Sequence, residues 1–170
     1  MSARQRPDPM TGLASIPDIA WSTGAAPDCR AAAELAARAF DPEFQEAWTE
    51  AQLAAVAALP GGWLDLGRGS DGRLVAFALS RQVVEDVELL LCAVDPGVRR
   101  SGIGRRLLHE VHRSARERHA SRIYLEVRSS NDAARGLYMS YGFVVCGRRP
   151  RYYRTVSGEM IDAITLELRI

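Results

Sequence analysis

Two side chains in this sequence could together take a proton from one reacting group and supply one to another: the carboxylate of Glu126 and the phenol of Tyr138. A carboxylate accepts a proton from an ammonium group, and a phenol gives one to a departing anion or hydrogen-bonds it. Upstream, the segment Arg99-Arg100-Ser101-Gly102-Ile103-Gly104-Arg105 suits a different task, because it joins an apolar run to an amphipathic one. At such a strand-to-helix junction the first helical N–H groups have no internal partners and the macrodipole adds about half a positive charge, which makes an anion site from backbone alone. Gly102 and Gly104 would let that backbone approach a phosphate, and Arg99, Arg100 and Arg105 would add charge around it. Asn131 and Tyr138 fall two helical turns apart on one face, some 10 Å of rise, with small Ala134 between them. That face could run along an extended thioester arm, with an amide at one end and a phenol at the other.

Each feature alone has a plainer reading. The glycine pair could be an ordinary loop with solvated arginines, Glu126 a solvent-facing strand residue, and Tyr138 a core aromatic. A dinucleotide fingerprint is excluded because its third glycine is missing, and a Walker loop because no Gly-Lys-Ser/Thr occurs.

The elements that must position these residues follow from hydrophobic period. Residues 1–17, rich in Pro, Ser, Arg and Asp, read as a flexible tail, and residues 18–170 as one domain, since 170 residues leave room for a single core. A first strand is expected near Ile19–Trp21, an Ala-rich helix over Asp28–Phe40 with Asp28 as N-cap, and a second helix over Ala47–Leu59. Trp63–Leu66 and Arg73–Ser80 form a hairpin about Gly69–Gly72. The run Glu85–Val94 is nearly continuously apolar, as in a strand covered on both faces. The helix Gly102–His119 carries Ile103, Leu107, Leu108, Val111 and Ala115 on one stripe. In the strand Arg122–Arg128, Ile123, Leu125 and Val127 share one face, and Tyr124, Glu126 and Arg128 the other. A short helix, Asn131–Tyr141, stops at Gly142, and Phe143–Cys146, Tyr152–Val156 and Met160–Arg169 close the chain as one or two strands, with Ser157-Gly158 as a turn. Strands and helices interleave while hairpins bracket the βαβ section, so the class is α/β with a mixed sheet and helices on both faces.

Composition narrows the partners. Lys+Arg 22 against Asp+Glu 21 leaves +1, which gives no global field toward nucleic acid or an anionic membrane. Arg148–Arg154 interleaves arginines with Tyr152 and Tyr153, a pattern open to RNA binding, but a basic rim around a peptide opening or near an acidic partner fits it better. Cys29, Cys92 and Cys146 are odd in number and far apart, which argues against a disulfide framework or a zinc site. His109 and His112 sit among Arg and Glu as a solvated face rather than a metal pair. No apolar run approaches the roughly 18 residues of a membrane span, and a soluble cytoplasmic protein is expected.

Taken together, the residues fall in the order of a known family. Arg99-x-x-Gly102-x-Gly104 resembles the (Gln/Arg)-x-x-Gly-x-(Gly/Ala) pyrophosphate loop of the GNAT acetyltransferases, preceded by their apolar strand. Leu125-Glu126-Val127-Arg128, Asn131, Ala134-x-x-Leu137-Tyr138 and Gly142-Phe143 closely resemble the RimI family within it, as does the ending Arg149-Pro150-Arg151-Tyr152-Tyr153 with Asp162-Ala163. The likeness is strong over residues 75–170 and looser before them. It implies a GNAT fold with six or seven mostly antiparallel strands, and acetyl-CoA as co-substrate with no metal. It further implies that the backbone of Cys92, Ala93 and Val94 bonds the pantetheine arm, that Ser101 and Ile103 belong to the phosphate loop, and that Asn131 reaches the cofactor. By the same resemblance Glu126 is the base, acting through water in a ternary complex, and Tyr152 and Tyr153 line the way in for a peptide. The implied acceptor is the N-terminal alanine of a ribosomal small-subunit protein, S-eighteen. An α-amine with pKa about 7.8 is roughly a quarter neutral at pH 7.4 and a lysine near 10.4 only about a thousandth, so a modest base suits the former. A lysine or small-amine acceptor is the alternative, and a non-catalytic acetyl-CoA-binding or docking module a further one.

Overall fold

The computed structural model describes residues 18–24 and 26–170, so the expected tail, 1–17, lies outside the described residues. Seven strands form one sheet: β1 Ala20–Gly24, β2 Gly62–Arg68, β3 Leu74–Val83, β4 Asp86–Val94, β5 Arg122–Arg128, β6 Val144–Arg154 and β7 Met160–Arg169. Their order is β1-β2-β3-β4-β5-β7-β6, and only the β4/β5 pair is parallel. Helices α1, Cys29–Ala39, and α2, Glu50–Ala57, pack on one face, and α3, Ile103–Glu117, and α4, Asp132–Tyr141, on the other. The mixed, mostly antiparallel sheet with helices on both faces is the expected one.

Side-chain alternation builds the two cores. Leu64, Leu66, Phe77 and Leu79 point toward α1 and α2, while Trp63, Ala76 and Ala78 point toward α3, where the small alanines let the helix lie close. Strand β4 breaks this pattern. Val87 and Leu89 belong to the α3 core, yet Leu91 and Ala93 belong to the α1/α2 core. The reason is a bulge: Leu79 pairs with Leu91 and Ser80 with Leu89, so Leu90 is an extra residue. One inserted residue reverses the facing of everything after it and bends the strand. The continuous apolar run therefore combines coverage on both faces with a change of face midway.

Some local expectations are corrected. Asp28 makes no side-chain cap on α1; its carboxylate accepts from Arg68 Nη2 at 2.7 Å instead. The second helix starts later than expected, because Thr49 and Gln52 form a capping box that fixes Glu50 as the first residue. Of the one or two closing strands expected, the structure has two, and the runs Phe143–Cys146 and Tyr152–Val156 both fall mostly in β6, which bulges interrupt. His112 is not on a purely solvated face: it is half-buried with Nδ1 3.3 Å from the Tyr141 hydroxyl, and burial lowers its pKa. Among the described residues no helix is long and apolar enough to cross a membrane.

Candidate active site

The parallel pairing of β4 with β5 runs only from Asp86↔Arg122 to Leu89↔Leu125 and stops where the Leu90 bulge bends β4 away. Beyond that point β5 stays paired with β7 and β4 with β3, so a slot opens through the sheet. Cys92, Ala93 and Val94 keep β3 on one side and have no strand on the other, which leaves backbone hydrogen-bonding capacity facing the slot. The resulting cleft, about 310 Å³, is lined from the α4 side by Cys92, Asn131, Ala134 and Tyr138. From the opposite side it is lined by Glu46, Trp48, Glu88, Glu126, Tyr152 and Tyr153.

On the α4 side Tyr138 is buried against Phe143, with ring centroids 5.8 Å apart, and lies beside Cys92. Burial and the neighbouring Cys92 raise the Tyr138 phenol well above its ordinary 10. Burial also pushes the Cys92 thiol up to about 12. Both groups are therefore protonated at neutral pH. Asn131 caps α4 by accepting from the Ala134 N–H at 3.1 Å, which uses its oxygen and leaves its amide N–H groups beside the slot.

Opposite them, Glu126 is held by Arg149, whose Nε lies 2.9 Å from Oε1, with the Tyr152 phenol beside it. The Glu126 charge in turn raises the Tyr152 phenol. Burial, then Glu46 and Glu126, push the Tyr153 phenol well up. Both tyrosines are delivered by a β6 bulge: Arg149 pairs with Ala163 and Tyr153 with Ile161, leaving extra residues opposite Asp162. Asp162 secures it by accepting from the Arg151 N–H at 2.8 Å and from Arg148 Nε at 2.6 Å.

The segment between α1 and α2 roofs this side. Glu46 accepts from Arg128 Nε at 2.7 Å, both side chains mostly buried, and the Arg128 guanidinium stacks on Phe44 at 3.4 Å. Glu43 accepts from Ser157 N at 3.0 Å and Ser157 Oγ at 2.6 Å, which ties the roof to the β6–β7 hairpin and holds its carboxyl below the ordinary range.

The loop 99–105, expected to hold phosphate, joins β4 to α3. Gly102 caps α3 at φ +85 with open space where a Cβ would point, and the first intrahelical bond runs from Arg106 N–H to Gly102 O. The amides of Ile103, Gly104 and Arg105 precede that bond and have no carbonyl beneath them. Gly104 has a further use: a Cβ there would come 3.0 Å from Leu137, so its absence seats α3 against α4. The arginines divide. Arg99 spends its guanidinium on the Ala39 and Val94 carbonyls, and Arg105 on the Ser140 carbonyl and the Tyr141 ring. Arg100 is exposed beside Gly102, and Ser101 Oγ donates to the Val98 carbonyl.

The structure thus brings Cys92, Asn131, Glu126, Tyr138, Tyr152 and Tyr153 to one cleft, with Ala93, Val94 and the loop 99–105 at the end of the slot's β4 wall. Sequence reasoning did not find Glu46, Glu43, Glu88 or the Arg149 partner of Glu126. Their contacts join segments far apart in the chain, and no local spacing marks them. A narrow slot with a free strand edge, a helix N-terminus at its end and a protonated phenol along it fits an extended, diphosphate-bearing thioester. Among the described residues no group of three or more His, Cys, Asp or Glu could hold a metal ion.

Comparison with known proteins agrees with this geometry. The Acetyltransferase (GNAT) family profile matches residues 30–143. The chain is 38% identical over 108 residues to the [ribosomal protein bS18]-alanine N-acetyltransferase of Escherichia coli K12, covering 64% of this chain and 72% of that one. It is 41% identical over 143 residues to the N-alpha-acetyltransferase RimI of Mycobacterium tuberculosis, covering 82% and 85%. The crystal structure of the E. coli ribosomal-protein-S18-alanine N-acetyltransferase superposes with a TM-score of 0.80 at 32% identity, covering 90% of this chain and 94% of that one. The chain belongs to the GNAT acetyltransferase family and takes its acetyl group from acetyl-CoA.

Proposed function

We propose that this chain is a protein N-α-acetyltransferase acting on an N-terminal alanine, with the ribosomal protein acceptor named for its relatives, and that residues 18–170 form its single catalytic domain in the cytoplasm. One observation carries the reading: a slot through the sheet has a buried phenol, Tyr138, on one side and a held carboxylate, Glu126, on the other. Acetyl-CoA bound in the slot supplies an activated acyl carbon, at which a C–N bond forms as the C–S bond breaks. Glu126 takes the ammonium proton of the acceptor through water, Arg149 and Tyr152 keeping its carboxylate aimed at the cleft. Tyr138 keeps its own proton and, with a raised pKa, hydrogen-bonds the departing sulfur, while the second proton of the newly acylated nitrogen passes to that thiolate, which leaves as CoA-SH. Cys92 remains a thiol and forms no acyl-enzyme, which favours direct attack in a ternary complex. Asn131, the backbone of Cys92–Val94 and the amides of Ile103–Arg105 are the groups suited to the pantetheine and pyrophosphate, with Arg100 as the exposed cation beside them.

The roof supports an α-amine over a lysine. Glu43 and Glu46 fasten it to the hairpin and to β5, and Tyr152 and Tyr153 narrow the approach. The test is mass spectrometry on peptides beginning with alanine, each with a free or blocked terminus and one internal lysine. Acetylation at the free terminus alone is expected; acetylation of the blocked peptide at lysine overturns the acceptor assignment.

A further inference from the structure

Three carboxylates face the acceptor side of the cleft, and two of them are engaged. Glu46 is paired with Arg128 and Glu126 with Arg149. Glu88 is exposed and, among the described residues, makes no hydrogen bond or ion pair, although it stands close enough to raise the Tyr152 phenol. Glu88 also lines a second hollow of about 310 Å³ together with Arg81, Tyr124, Glu126, Arg149 and Thr165. The two hollows share Glu88, Leu125 and Glu126, so the cleft continues into a groove across the outer face of β4 and β5. In that groove Arg81 stands in register with Glu88 across the β3–β4 ladder and lines the same hollow, without an ion pair to it among the described residues. The roof is fastened at Glu43 and Glu46, which leaves this groove as the open route for the rest of an acceptor chain.

We infer that the groove binds the residues just after the acetylated one, and that Glu88 selects a basic side chain at the second or third position. The position follows from strand geometry. Glu88 pairs in register with Tyr124, two residues along β5 from Glu126, a distance of about 6–7 Å. An extended peptide covers that span in two residues. A cation there meets the unpaired Glu88 carboxylate, whereas an acidic side chain meets Glu88 and Glu126 with the same sign. The inference rests on the N-terminal acceptor proposed above.

The experiment measures kcat/KM on alanine-initiated peptides carrying a single Arg or a single Glu at position two, three or six. With the wild-type enzyme, Arg at position two or three is expected to exceed Glu there by about fivefold, through KM, with little difference at position six. The ratio should shrink as salt rises. Glu88→Gln should flatten the preference, and Glu88→Arg should invert it toward Glu, an inversion that a merely structural role would not produce. Acetylation with an unchanged ranking in Glu88→Arg overturns the role of Glu88 and leaves the acceptor assignment standing. Failure of the wild-type enzyme on every free-terminus peptide overturns the acceptor assignment, and this inference with it.

Discussion

At the level of single residues, Glu126 and Tyr138 differ in how their environments treat charge. Glu126 is held by the Arg149 guanidinium, with the Tyr152 phenol beside it. Replacing it with Gln keeps the shape and removes the base, so kcat should fall by about 10²- to 10³-fold while acetyl-CoA affinity, measured by calorimetry, stays near that of the parent. Unchanged turnover would remove Glu126 from the mechanism. Tyr138 is buried beside Cys92 and its phenol is raised well above 10. It stays protonated up to and beyond that pH, so its ionisation cannot shape the rate between pH 6 and 9. Tyr138→Phe should slow turnover by about 10- to 100-fold, the cost of a hydrogen bond to a developing anion. Wild type and variant should nevertheless share one pH profile, rising through the acceptor amine near pH 7.8. An alkaline limb lost only in the variant would instead make Tyr138 a titrating acid.

Among the elements, two bulges convert a plain sheet into a site. The Leu90 bulge peels β4 from β5 and opens the slot, and the β6 bulge opposite Asp162 sets Tyr152 and Tyr153 at its mouth. Both the Arg151 amide and the Arg148 side chain depend on the Asp162 carboxylate. Asp162→Ala should therefore loosen the bulge, raising KM for peptide severalfold while KM for acetyl-CoA changes little. Equal rises in both constants would mean that the bulge serves the whole sheet rather than the acceptor side.

For the molecule as a whole, the roof is held by contacts between distant parts of the chain: Glu43 with Ser157, 114 residues on, and Glu46 with Arg128, 82 residues on. Hydrogen bonds from Ser157 hold the Glu43 carboxyl below its ordinary 4.5. A carboxyl lowered in the folded state contributes above its unfolded value and loses that contribution as pH falls through the folded one. The Glu43 tie is therefore intact at neutral pH and released only in acid. Glu43→Ala should speed amide exchange at Val156 and Ser157 at pH 7 and raise peptide KM, and the wild-type protein should approach the same exchange pattern below pH 4.5. Identical exchange in variant and parent at pH 7 would show that the Val156 backbone bond to Glu43 holds the hairpin unaided.

How much was legible in the sequence follows from the range of the forces involved. Arg122–Arg128 matches β5 residue for residue because alternation is local, and α3 follows its stripe because helical period is local. Asn131 and Tyr138 could be placed on one helical face by their spacing and the loop 99–105 at a strand-to-helix junction, whereas Glu126 was singled out only by the resemblance to the RimI family. The change of face in β4 was not legible: a run of leucines is apolar in either phase, and only pairing with β3 reveals the extra residue. Nor were the partners of the arginines, since Arg99 and Arg105 find carbonyls 60 and 35 residues away. By itself the sequence determined most of the elements, the family and the use of acetyl-CoA. Tertiary structure alone decided which carboxylates are paired, which one has no ion-pair partner among the described residues, and where the cleft leads, because charge pairing depends on distances that exist only once the strands have taken their order.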